Sequence, residues 1–166
     1  MEIAADDKLL DWVEQAALEN IRAHIKSADD IKRESSIALA VLLAGASGSL
    51  AYAAKALEAP INNHVALAFG VLSVYLFALC AALVIRCLRV GSFPSPTNQP
   101  NNLYQKSHQL YRLREVELRN MQKRIEDAAE INEATTKWLN GVRAAATASP
   151  LILGVTFFLS YRGLLS

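Results

Sequence analysis

Three histidines and two cysteines are the residues best equipped for metal or nucleophilic chemistry, and their placement argues against both. His24, His64 and His108 lie in unrelated parts of the 166-residue chain. The sequence has no H-E-x-x-H, Cys/His metal cluster, G-x-S-x-G or phosphate-cradling glycine loop. Cys80 and Cys87 are seven residues apart on one face of an apolar helix, and they read as small hydrophobic thiols in the reduced state. Basic residues of the C-terminal half alternate with acids, which makes a poor nucleic-acid patch. The expectation is a non-enzymatic protein with no cofactor, no metal and no nucleic-acid partner. The side chains left for receiving a signal are Asp29, Lys32 and Arg33 before the first apolar stretch, and Lys123, Arg124 and Asn132 before the last. Lys32, Arg33, Lys123 and Arg124 are candidate anion contacts, although each alone reads first as a solvated or lipid-headgroup residue. Asn132 falls on a helical seam, where a buried amide can fix register or oligomeric state. His24 reads as a packed or half-exposed helix residue.

The elements that position these residues follow from where charge is missing. The chain is 52% hydrophobic and 20% charged, yet segments 35–54, 65–85 and 144–161 contain no Asp, Glu, Lys or Arg. Each is roughly as long as a helix needs to be to cross ~30 Å of hydrocarbon. Three such segments in one small chain predict an all-α membrane protein with three transmembrane helices. The first segment follows too long a charged stretch to be a cleavable signal peptide, so all three spans are expected to persist. Of the 17 Lys and Arg residues, only Lys55 and Arg162 flank the opposite ends of these segments. The positive-inside rule then puts the N-terminus and the long second loop in the cytosol, and the C-terminus outside.

The charged parts form two cytoplasmic helical arms. Residues 1–34 make one amphipathic helix, with a stripe at Leu10, Val13, Ala17, Ile21, Ala28 and Ile31 that includes His24. It can run straight into the transmembrane hairpin, 35–88. A Pro-, Gly- and Asn-rich loop covers 89–102, and a second arm covers 103–143. The second arm carries a heptad-like seam at Leu118, Met121, Ile125, Ala128, Asn132, Thr135, Leu139 and Val142, which weakens upstream through Tyr104, Ser107, Tyr111 and Arg114. The third membrane helix and a short outer tail complete 144–166. The first arm is net acidic and the second net basic, which favours pairing within a chain or between protomers.

The first apolar segment is built for contact. Ala40, Ala44 and Gly48 recur every four residues, with Gly45 and Ser49 on the adjoining stripe, and small residues at this spacing let membrane helices approach closely. That face is expected to pack helices together or to join protomers into a homo-oligomer. The spans carry no Asp, Glu, Lys, Arg or His and no sign of a broken helix, which disfavours an ion-coupled transporter.

The layout resembles the small membrane effectors of bacterial antiphage signalling systems. The segments that carry the likeness are "HIKSADDIKRESSIALAVLLAGASG" and "QKRIEDAAEINEATTKWLNGVRAAATASPLILG". Pycsar-type transmembrane effectors are similar in layout, and so are the two-span effectors of cyclic-oligonucleotide systems. The resemblance implies a bacterial inner-membrane protein whose cytosolic part senses a second messenger, such as a cyclic nucleotide, and which then permeabilises the membrane. It implies roles for Ala28, Asp29 and Lys32, and for Asn132 and Asn140. The sequence departs from the pattern in having no separate nucleotide-binding domain and no dense basic pocket, so a cytosolic protein partner remains an alternative signal. A membrane adaptor that docks such a partner, and a holin-like lysis protein, are the competing readings.

Overall fold

The computed structural model describes residues 3–58, 63–89 and 91–163. Among them every regular element is helical: α1 (Ile3–Leu57), α2 (Asn63–Arg86), the single-turn α3 (Pro100–Leu103), α4 (Leu110–Thr147) and α5 (Ser149–Tyr161). They form two compact units, one from Met1–Ile31 and Val90–Ala134, the other from Lys32–Arg89 and Thr135–Ser166. Both α1 and α4 contribute to each unit.

Helix α1 fuses the first arm and the first apolar segment without interruption. No Gly or Pro precedes Gly45, so nothing in the first 44 residues breaks the backbone hydrogen-bond ladder. Ile21, Ala28, Ser35, Leu42, Ser49 and Ala56 are buried at seven-residue intervals, and Ala46 and Ala53, four residues beyond Leu42 and Ser49, are buried beside them. A sustained heptad of this kind keeps one seam facing its packing partner.

In the first unit, α1 and α4 run parallel. Ile21, Met121 and Ile125 form a buried apolar cluster, with Ala17, Leu18 and Ile25 packed around it. The expected seam of α4 is the buried face: Met121, Ile125, Ala128 and Asn132 are buried here, and Leu139 and Val142 are buried in the second unit. The two arms therefore cover each other's apolar stripes within one chain.

The second unit is built around α2, whose residues Ala66, Ala68, Leu72, Ser73, Leu76, Cys80 and Leu83 are buried. The Ser73 hydroxyl donates to the Ala46 carbonyl of α1 over 2.9 Å. Glu34 and Arg143, at the charged margins of the apolar stretches, pair at 2.7 Å. The Arg86 guanidinium lies 4.8 Å from the centre of the Trp138 ring, where the ring's negative face attracts it.

Two boundaries differ from the sequence expectation. The second arm starts as a continuous helix at Leu110 rather than near 103, because the helical turn opened by Pro100 ends at Tyr104 and a turn at Gln105–His108 follows. The third apolar segment is not one straight helix. α4 ends at Thr147, and α5 departs from it at 43°. Pro150 is the cause: it has no N–H to give to Ala146, and its ring clashes with that carbonyl. With 13 residues, α5 alone spans only ~20 Å. Among the described residues there are thus two helices long and apolar enough to cross a membrane, and a third span if the bent pair counts as one. The expectation that no broken helix is present is overturned at this point.

Candidate functional site

The paired arms of the first unit are joined by a cluster of charged side chains. Arg114 reaches from α4 to two carboxylates of α1. Its Nε donates to Glu14 at 2.8 Å, one terminal nitrogen donates to Glu14 at 3.0 Å, and the same nitrogen contacts Asp11. Hydrogen bonds to Glu14, and then to Asp11, hold the guanidinium pKa above its ordinary range. This cluster answers the acidic-to-basic complementarity of the arms. In the sequence Arg114 falls where the apolar seam weakens. An arginine at a seam position facing Asp11 and Glu14 on a net-acidic helix was the available signal.

The six residues expected to receive a signal divide by role. Asn132 is buried, and its amide nitrogen donates to the His24 carbonyl of α1 at 2.8 Å. Arg124 is half buried and pairs with Glu117 at 2.5 Å, and its Nε has no acceptor among the described residues. It also lines an open groove of about 550 Å³ with Asp127 and Glu130, so carboxylates surround its charge. Asp29, Lys32, Arg33 and Lys123 have exposed side chains on their helices. The geometry makes Asn132 part of the arm pairing and holds Arg124 in an ion pair within α4, whereas the other four face outward.

A second arrangement was not visible in the sequence. The segment between α2 and α4 folds back onto the arm pair and is pinned by Asn98, whose amide donates to Glu117 at 3.1 Å. The Asn98 carbonyl oxygen accepts from the Gln99 backbone N–H and from the Asn102 amide, at 2.9 and 3.0 Å. Two adjoining clefts result, sharing Asn98, Leu103, Leu113 and Glu117. One, of about 330 Å³, is mostly apolar, with Leu18, Leu118 and Met121 at its floor and the exposed Leu110 at its rim. The other, of about 470 Å³, is lined by Asn102, Gln105, His108, Arg112 and Asn120.

In the second unit the broken helix is held by hydroxyl groups. The carbonyls of Ala144, Ala145 and Ala146 accept from Thr147, Tyr75 and Ser149 respectively, each at 2.7 Å. Ser149 thereby satisfies the carbonyl that Pro150 leaves without a donor. At the other end of α5, Ser160 and the His64 Nδ1 lie 2.8 Å apart. Gly163, with φ near +72°, closes α5 in the left-handed conformation that glycine adopts without strain.

The small-residue face of α1 separates into two sides. Ser49 is buried, and a Cβ on Gly45 would meet Leu76 at 3.4 Å, so these residues face α2. Ala40, Ala44 and Gly48 are exposed, and a Cβ on Gly48 would meet nothing within 4 Å. Among the described residues no group of three or more His, Cys, Asp or Glu side chains could hold a metal ion. No protein-family model, curated protein or solved structure matches the chain.

Proposed function

We propose that this chain is a non-enzymatic effector of the bacterial inner membrane. In this reading it oligomerises through the exposed side of α1 and permeabilises or depolarises the membrane when its cytosolic arms receive a signal, in the manner of antiphage defence effectors. The observation that carries the reading is the unbroken heptad of α1. One helix brings the charged, ligand-accessible part of the chain and an apolar membrane-length segment into a single seam. A change in arm pairing then acts on the same helix that lies in the bilayer. The signal must favour one arrangement of the arms over the other, since a ligand that binds both equally shifts nothing. The distribution of Lys and Arg supports a cytosolic N-terminus and long loop.

Dye release from liposomes containing the purified chain tests this reading, with and without cyclic mononucleotides. Release that depends on a nucleotide supports a gated effector. Constant release favours the holin-like account. No release under any condition, from correctly oriented protein, favours a membrane adaptor and directs attention to a cytosolic partner.

A further inference from the structure

The two adjoining clefts of the first unit form one bipartite pocket, and its lining is divided by chemistry. The apolar part has aliphatic walls, Leu18, Leu103, Leu110, Leu113 and Leu118, with Met121, whose polarisable sulfur suits an aromatic ring. At about 330 Å³ it lies at the small end of the range for small-molecule sites. The polar part offers hydrogen-bonding capacity that its own neighbours leave open. Asn102 and Gln105 use their amide nitrogens on Asn98 and on the Asn102 carbonyl, and among the described residues their side-chain oxygens have no donor. His108 uses Nδ1 on Ser107, leaving Nε2. The exposed Arg112 adds a guanidinium on the same wall. The two carboxylates in the lining are offset, Glu14 by Arg114 and Glu117 by Arg124 and Asn98. An apolar slot beside the Arg112 guanidinium, the His108 ring and two amide oxygens fits a ligand with a flat body that carries N–H donors for the amides and an anionic end for the arginine.

We infer that this pocket is the binding site for the signal itself: a small organic anion of mononucleotide size, its ring against Leu110, Leu113 and Met121 and its phosphate at Arg112 and His108. The inference rests on the effector reading above, and it gives that reading a location. The pocket lies between α1, α4 and the Asn98 loop, so an occupant touches both arms at once. That is the differential contact a gating ligand needs.

The test is ligand binding to the full-length chain in detergent, by calorimetry with the four common cyclic mononucleotides, beside the liposome release assay. Arg112→Gln removes the cation without altering the arm seam. Leu110→Asp puts a charge in the apolar part at a residue that is 72% exposed, so folding is spared. The expected result is binding of at least one nucleotide, weakened about tenfold or more by each substitution and weakened by added salt in the parent but less in Arg112→Gln. Lys26→Gln, outside both clefts, should leave the affinity unchanged. Nucleotide binding that both pocket variants retain overturns the site but leaves the gated effector standing. Absence of binding by the parent also overturns the site, and the release assay then decides separately whether the effector reading survives.

Discussion

The Asn132 amide donates to the His24 backbone carbonyl across the arm seam, over 2.8 Å, with Asn132 itself buried. A donor inside an otherwise apolar seam fixes the axial register of two helices, because a shifted register strands it without an acceptor. Asn132→Ala is expected to destabilise the arm pair by about 1–2 kcal/mol. Asn132→Leu should recover much of that by apolar burial while permitting alternative registers. Urea denaturation gives the first quantity. Spin-label distances between α1 and α4, narrow in the parent and broadened in Asn132→Leu, give the second. An unbroadened distribution would show that the seam is set by Ile21, Met121 and Ile125 alone.

Arg114 makes the complementary electrostatic clasp with Glu14 and Asp11. Its pKa is raised on folding, so its contribution is complete below the ordinary arginine range and is lost only as pH climbs through the elevated folded value. The thermal midpoint of the parent should therefore show no loss from this arginine up to pH 11. An Arg114→Lys variant cannot present the same fork to two carboxylates, and lysine titrates near pH ~10.4. Its midpoint should be lower at neutral pH and should fall further between pH 9 and 11. Parallel curves for the two proteins would remove the clasp from the account of arm pairing.

Much of this was legible before the fold was known, because heptad spacing and missing charge are one-dimensional signals. The seam from Met121 to Val142 and the arm stripe through Ile21 and Ala28 are the buried faces. The C-terminal end of α1 and both ends of α2 lie within a few residues of the apolar segments. What escaped depends on three-dimensional closure. Pro150 was visible, but the 43° break was missed because hydropathy averages over a proline. The Asn98 loop reads as loose Pro- and Asn-rich chain, and only its hydrogen bonds to Glu117 and Asn102 turn it into the wall of a pocket. The small residues of α1 gave the right helix, but not which side Leu76 would occupy.

Gly45 and Gly48 separate folding from assembly. A side chain at Gly45 starts 3.4 Å from Leu76, so Gly45→Leu should overpack the α1–α2 contact and destabilise the chain by about 1–3 kcal/mol. A side chain at Gly48 meets open space, so Gly48→Leu should fold as well as the parent. If α1 joins protomers through Ala40, Ala44 and Gly48, Gly48→Leu will nonetheless lower the oligomer size by cross-linking or light scattering. An unchanged oligomer would remove this face from the interface and assign it to lipid.

Tyr75 and Pro150 make the last prediction, which concerns the bent α4–α5 pair. The proline creates an unpaired carbonyl, Ser149 satisfies it, and the Tyr75 hydroxyl braces the neighbouring Ala145 carbonyl from α2. Tyr75→Phe removes only the hydroxyl and should cost about 1 kcal/mol. Pro150→Ala restores an N–H within reach of Ala146, so α4 and α5 can join into one straighter helix. Spin-label distances from α2 to residue 155 should lengthen or broaden in Pro150→Ala and change less in Tyr75→Phe. Should the bend govern permeation, both variants will change liposome dye release in the same order, Pro150→Ala more than Tyr75→Phe. Release that is unchanged in both, despite a measured change in distance, would make the bend a packing feature with no part in the membrane activity.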